Sequence, residues 1–234
     1  MTPIGRVLEL TRYPVKSMAG TPLQSAQLGL HGIDGDRRFG FRRIDDTSAF
    51  PFLTASRFPG LLTYQPRGDS EIPSHVRTPS GADLELRSEE LRNEIAARSG
   101  HAVELMRFKN GIFDDGTISL IAASTIDAIG REVGMELDRR RMRANIVLET
   151  ESTKALLEDD WVGATLMIGD AAVSITARDE RCVMVNFDPD TGQQDARVMK
   201  TIVRMNDNYA GVYGAVTRAG AIHVGQIVHL VRPL

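Results

Sequence analysis

The chain has 234 residues, enough to bury a full core as one large domain or two small ones. Its 42% hydrophobic and 25% charged residues are ordinary for a globular protein, and its net charge of −3 makes no general case for nucleic-acid binding. No apolar run reaches a membrane span, one cysteine precludes an internal disulfide, and Met1 to Arg6 lack a secretory apolar core, so a cytoplasmic protein engaging neither membrane nor nucleic acid is expected.

Ile4 to Leu10 alternates as a strand does and runs into Tyr13-Pro14-Val15-Lys16-Ser17. Leu23 to Leu28 predicts a second strand, closed by a turn at Gly29 to Gly35. Asp34 to Arg38 opens a third strand, Phe39 to Ile44, and Asp45-Asp46 marks a hairpin. Leu53 to Leu62 fits a short helix or a loop, while Arg67-Gly68-Asp69-Ser70 and Pro79 to Asp83 are turns between short strands. Glu89 to Arg98 predicts a helix: Ser88 can cap it, Glu89 and Glu90 suit its positive end, and Gly100 can stop it. Val103 to Phe108 returns as a strand, and a domain boundary is placed at Asn110-Gly111, dividing the chain into 1–108 and 109–234.

A second helix is expected over Thr125 to Val133, with Ser124 and Asp127 as its cap and Gly134 as its stop. Arg143 to Leu148 reads as a buried strand, Lys154 to Glu158 as a short helix, and Trp161 to Ile168 as a strand. Ala172 to Thr176 alternates ahead of Cys182, and Ala196 to Arg204 predicts a helix with Val198, Ile202 and Val203 along one side. Val212 to Val216, Ala221 to Val224 and Ile227 to Val231 complete the strands. Many short strands with few helices point to a mixed, mainly antiparallel β-barrel, not a doubly wound sheet.

Cys182, the lone thiol, follows Arg181 at a strand end and precedes the turn Asp188-Pro189-Asp190-Thr191-Gly192. A lone cysteine is most often a small buried hydrophobe, yet a thiolate beside a cation is also a nucleophile and a soft metal ligand. No dinucleotide fingerprint or P-loop appears, and the five histidines lack metal-ligand spacing. A Cys-His hydrolase remains possible in principle, although no histidine is favoured as its partner. Lys16, Arg37, Arg38, Arg143 and Arg181 all lie at strand ends or turns, where they could converge on an anionic cofactor. On composition alone the plainer reading wins, that they are solvated surface cations among the 28 lysines and arginines of the chain.

Taken in order, these motifs resemble the MOSC-domain proteins that carry an N-terminal β-barrel extension. The resemblance rests on Tyr13 to Ser17, Gly35-Asp36-Arg37, Arg143-Ala144-Asn145-Ile146-Val147, and Arg181-Cys182 with Asp188 to Gly192. Gly225-Gln226-Ile227-Val228 is similar to the family's end, and Val185 stands where relatives often have threonine or serine. The resemblance implies an α+β, mainly β protein, a MOSC barrel preceded by a β-barrel-like domain. Within the family it points to the amidoxime-reducing branch, which binds molybdenum on molybdopterin. Cys182 would then be the metal ligand, and Lys16, Arg37, Arg38, Arg143, Asn145 and Arg181 would hold the cofactor. Asp115, in Phe113-Asp114-Asp115, would sit beside the metal as a proton relay.

A small N-hydroxylated substrate is implied, reduced with electrons from a separate ferredoxin-like protein or a haem or flavin reductase chain. The acidic run Asp188 to Asp195 is a candidate docking site for a basic donor. Two alternatives are a sulfur carrier using a Cys182 persulfide and a non-catalytic cofactor-binding barrel.

Overall fold

The alternating N-terminal segment forms a strand, Thr2–Arg12, that closes a sheet on itself. In the computed structural model, which describes residues 1–68 and 71–233, it pairs antiparallel with Ile146–Thr150 and with Ile227–Val231. From Ile146–Thr150 the sheet continues through Ile118–Ala122, Tyr209–Arg218, Ala171–Glu180 and Thr165–Ile168, then returns to Ile227–Val231. Seven strands thus enclose a barrel in which only Ile118–Ala122 and Ile146–Thr150 run parallel. Thr21–Leu23 adds to the outer end of Thr2–Arg12.

Closure demands strong local bending, and register shifts interrupt Thr2–Arg12 and Ala171–Glu180. Gly5, at φ +151°, lies where a Cβ would collide with the Glu149 carbonyl, so the close approach of the two strands requires glycine. Inside the barrel Val7, Leu10, Leu120, Ile146, Leu166, Val173, Val212 and Val228 form one core. Burying each such side chain contributes roughly 1.5–3 kcal/mol.

Two helices, Ala123–Val133 and Arg197–Asn206, cover the outside of this wall. Their apolar spacing fits one buried stripe, Ile126, Ile129 and Val133 meeting Val198 and Ile202. Val203 is not part of it and is 48% exposed. Ser124 does not cap the first of these helices. The chain passes from Ile118–Ala122 straight into the helix, whose N-cap is Ala122. Buried Glu158 braces this end of the helix, accepting from Thr125 Oγ1 at 2.8 Å and Ala122 N at 3.4 Å, while Ser124 Oγ donates to the Lys154 carbonyl.

The first half of the chain has a core of its own, built on Phe39, Phe41, Tyr64, Leu91 and Ile95. Around it stand the pair Phe39–Arg43 and Val103–Arg107, the sheet Gln65–Arg67, His75–Arg77 and Asp83–Glu85, and the helix Glu89–Ser99. Ser88 Oγ accepts from Leu91 N at 3.2 Å, and Gly100 ends the helix at φ +74°. A third small sheet joins Gly220–His223 to Ser25–Gly29 and Gly32–Ile33, tying the end of the chain to its beginning.

Several expected boundaries differ. The run from Leu23 to Leu28 breaks into Thr21–Leu23 and Ser25–Gly29, because its parts serve different sheets. Past Asp45-Asp46 the return is held by Arg43 N to Pro51 O and Leu53 N to Phe41 O, with a single bridge at Phe52. The strand expected from Arg143 starts only at Ile146, since Arg143 ends a 3-10 turn, Arg139–Met142. Another 3-10 turn, Leu157–Trp161, replaces both the helix at Lys154 to Glu158 and the start of the strand at Trp161, which begins at Thr165. Asp69 and Ser70, half of one expected turn, and Leu234 lie outside the described residues. No helix among the described residues is long and apolar enough to cross a membrane.

Candidate active site

Three charged or polar residues that the sequence places at turns adopt the left-handed backbone region: Ser17 at φ +67°, Arg37 at +50° and Arg143 at +50°. Non-glycine residues pay about 1–3 kcal/mol for such backbone conformations, which persist only where the surroundings impose them. Here the surroundings are three chain segments zipped together. Arg37 N donates to Tyr13 O at 2.7 Å, Lys16 N to Phe39 O at 2.8 Å and Thr11 N to Asn145 O at 2.9 Å.

The side chains are fixed as closely. Asp36 is fully buried and accepts from Tyr13 N at 2.6 Å, from Asn145 Nδ2 at 3.1 Å and from the Arg37 guanidinium. Burial alone would lower the pKa of Arg37, but Asp36 outweighs it and raises it. Asn145 Oδ1 accepts from Arg37 Nη1 and from Ser119 N, both at 3.2 Å, linking the arginine to the barrel wall. Arg143 lies over the Tyr13 ring at 4.4 Å and donates to Met18 O at 2.8 Å. Burial, followed by the like charge of Arg37, lowers its pKa to about 10, so it is still protonated at neutral pH. Lys16, only 8% exposed, pairs with Asp114 at 2.8 Å. Burial would raise the Asp114 pKa, yet Lys16, then Arg37 and Arg143, bring it below the ordinary carboxylate value.

Cys182 is exposed and sits just past the strand Ala171–Glu180, at the start of the 3-10 turn Val183–Asn186. Arg181 turns inward. Its nitrogens donate to Ala210 O at 2.6 Å and Met142 O at 2.7 Å, and it pairs with buried Asp179 at 3.0 Å. Asp179 also accepts from Ser119 Oγ at 2.9 Å. Arg181 therefore braces the thiol loop against the turn that carries Arg143, and Asp179 offsets its charge.

Lys16, Arg37, Arg143, Arg181, Asp115 and Cys182 all line one cavity of about 470 Å³. That lies within the roughly 300–1,000 Å³ of ordinary ligand sites. Asn145 is buried beneath the cavity and acts on it through Arg37. Arg38 is not brought to the cavity, because its guanidinium donates to the Lys109 carbonyl. The acidic run after the thiol is largely paired within the chain: Asp188 with Arg141, Asp190 with Arg140, and Asp195 with Arg197.

Sequence reasoning passed over Asp114, Ser119, Asp179 and Tyr213, which also line the cavity. Only Asp114, beside Asp115, carried a signal. The others sit on Ile118–Ala122, Ala171–Glu180 and Tyr209–Arg218, and meet only once those strands pair.

Among the described residues no group of three or more His, Cys, Asp or Glu could hold a metal ion. A metal at Cys182 would thus take at most one further donor from these residue types and its remaining ligands from a cofactor. The exposed thiol and the buried cations of one cavity fit a cofactor that is soft at the metal and anionic elsewhere.

A family model described as the MOSC domain matches residues 100–229, and one described as the MOSC N-terminal beta barrel domain matches residues 4–116. No curated protein matches the chain. Among solved structures, the YuaD protein from Bacillus subtilis is 14% identical, with a TM-score of 0.54 over 100% of this chain and 98% of that one. YiiM from Geobacillus stearothermophilus is 18% identical, with a TM-score of 0.37 over 50% of this chain and 55% of its own. YiiM from Escherichia coli is 15% identical, with a TM-score of 0.39 over 51% of this chain and 56% of its own. The likeness to YuaD shows a shared fold.

Proposed function

The chain belongs to the MOSC domain family, and from that premise we propose that it is a molybdenum-cofactor oxidoreductase acting on small N-hydroxylated compounds. The observation that carries the reading is the single cavity joining Cys182 to Lys16, Arg37 and Arg143. MOSC domains are associated with molybdenum-cofactor sulfurases and oxidoreductase-like proteins. When bound, the cofactor would supply two-electron removal of oxygen from the substrate, which a protein without redox groups cannot perform.

The chain's own residues divide the remaining work. Cys182 offers the one thiolate to the metal. Lys16, Arg37 and Arg143 hold the cofactor's anionic groups, with Asp36 and Asn145 keeping Arg37 aimed. Asp115, exposed on the cavity wall, carries a proton toward the oxygen that leaves. Each turnover consumes two electrons and two protons, turning an N–OH group into N–H and water. The electrons come from a separate ferredoxin-like, haem or flavin protein. A cytoplasmic setting belongs to the proposal, since the lone thiol is exposed and must stay reduced.

The exposed thiol also favours a second reading, a sulfur carrier with a persulfide on Cys182. Protein made in a molybdopterin-producing host separates the two: the first expects about one molybdenum per chain, the second a cyanide-labile sulfur without metal. Metal-replete protein is then assayed with benzamidoxime, giving it NADH alone, NADH with a donor chain, or dithionite with a mediator. Turnover in the last two alone is expected. Metal-replete protein inactive in all three would overturn the reductase reading.

A further inference from the structure

A second cavity, of about 390 Å³, adjoins the one that holds Cys182, and the two share Arg141, Arg143 and Met184 as a wall. The arginines of that wall and of the Cys182 cavity are unequal in their partners. Arg37 pairs with Asp36, Arg141 with Asp188 and Arg181 with Asp179, whereas Arg143 has no ion pair among the described residues. Its hydrogen bond is to the Met18 carbonyl, and its flat face rests on Tyr13. Among the described residues Arg67, on the far lining, is likewise met by an amide, Gln65, and not by a carboxylate. The acids on the lining are already engaged, Glu9 by Arg139 at 2.7 Å and Asp190 by Arg140 at 2.6 Å. Two positive charges are therefore left over, beside the apolar surfaces of Ala19, Pro22, Leu62 and Phe187.

We propose that this second cavity binds the far end of the substrate, a planar aromatic group bearing one carboxylate, with Arg143 and Arg67 reading the carboxylate. The assignment rests on the reading that the reaction centre lies in the Cys182 cavity. A guanidinium with free donors prefers a carboxylate or phosphate, and an aromatic body suits the apolar lining. A doubly charged phosphate fits less well. Glu9 and Asp190 on the lining oppose a second negative charge here. Arg143 then serves both cavities, touching the cofactor from one side and the substrate's acid from the other.

The test uses the full chain, metal-free and metal-replete, titrated with fluorescent 2-naphthoate, neutral 2-naphthamide and cationic 2-naphthylmethylammonium. Naphthoate should bind about tenfold more tightly than the amide, the size of one charged hydrogen bond, and the ammonium should not bind. Arg67→Gln should weaken naphthoate about tenfold. Ala19→Trp, which fills the cavity, should abolish binding. Neither residue lines the Cys182 cavity, so the rate of Cys182 alkylation should be unchanged in both variants. Equal binding of the three probes, or naphthoate binding indifferent to both variants, would overturn the site. So would displacement of naphthoate by inorganic phosphate together with protection of Cys182. Because no turnover is read, loss of binding leaves the proposed reaction standing. A chain that binds naphthoate but never takes up molybdenum contradicts the reaction instead.

Discussion

Replacing Asp36 should unlock the cationic side of the cavity more than any other single change. Its carboxylate is fully buried and meets the Tyr13 N–H at 2.6 Å, the Asn145 amide at 3.1 Å and the Arg37 guanidinium, itself only 13% exposed. Asp36→Asn keeps the shape but leaves Arg37 without its counter-charge and sets an amide against the Asn145 amide. Breaking a buried pair in this way costs roughly 3–5 kcal/mol, a large part of the roughly 5–15 kcal/mol that holds a domain. Because Asn retains one acceptor for Tyr13 N, a loss of about 3 kcal/mol is expected. The assay is urea unfolding of metal-free wild type, Asp36→Asn, Arg37→Leu and the double variant at pH 7. The double variant should cost less than the sum of the singles by at least about 1.5 kcal/mol, because removing both charges leaves neither unpaired. Additivity within about 0.5 kcal/mol would refute the pairing.

Cys182→Ser should remove molybdenum on elemental analysis yet change the unfolding free energy by no more than about 0.5 kcal/mol, since the thiol is exposed. Asp114 contributes stability that is present above its ordinary value of 3.8 and lost as pH falls through its lower folded value. The gap in urea midpoint between wild type and Asp114→Asn should therefore be constant near neutrality and close below about pH 4; a gap that widens in acid would contradict the ion pair with Lys16. It should stay under about 1 kcal/mol because solvent screens this exposed side chain. Gly211, at φ +86°, would place a Cβ 2.7 Å from Leu120 O and 2.8 Å from Arg181 Nη2. Gly211→Ala should cost about 2–4 kcal/mol and lower cofactor retention, whereas Gly100→Ala, with open space around it, should cost about 1 kcal/mol and leave retention unchanged.

Much of the fold was legible where local rules and packing agree. The helix Glu89–Ser99 appears with its Ser88 cap and Gly100 stop, because both signals act within one turn of the backbone. The strand Ile118–Ala122 was missed: a short run, apolar but for Ser119 and leading straight into a helix, has no sustained alternation to mark it, since both of its faces are buried. Ser124 looked like a cap, but it lies inside the helix, whose N-cap is Ala122, and its hydroxyl donates to the Lys154 carbonyl. Arg38 and Arg37 stand side by side in sequence, and only the left-handed turn at Arg37 separates one into the cavity and the other toward Lys109.

By itself the sequence determined the chemistry on offer: one thiol, a set of cations at turns, and strands too short and too many for a doubly wound sheet. Each of these depends on residue type or on neighbours a few positions away. Tertiary structure alone decided which cations meet the thiol, because Asp36 and Asn145 tie together the three distant segments that carry Lys16, Arg37 and Arg143. It also decided that Arg181 faces inward to Asp179 and not toward the sulfur, and that among the described residues Arg143, unlike Arg37, Arg141 and Arg181, makes no ion pair. The physical reason is common to all of these. A buried charge takes its direction from the partner that offsets its desolvation, and that partner arrives only when the barrel closes.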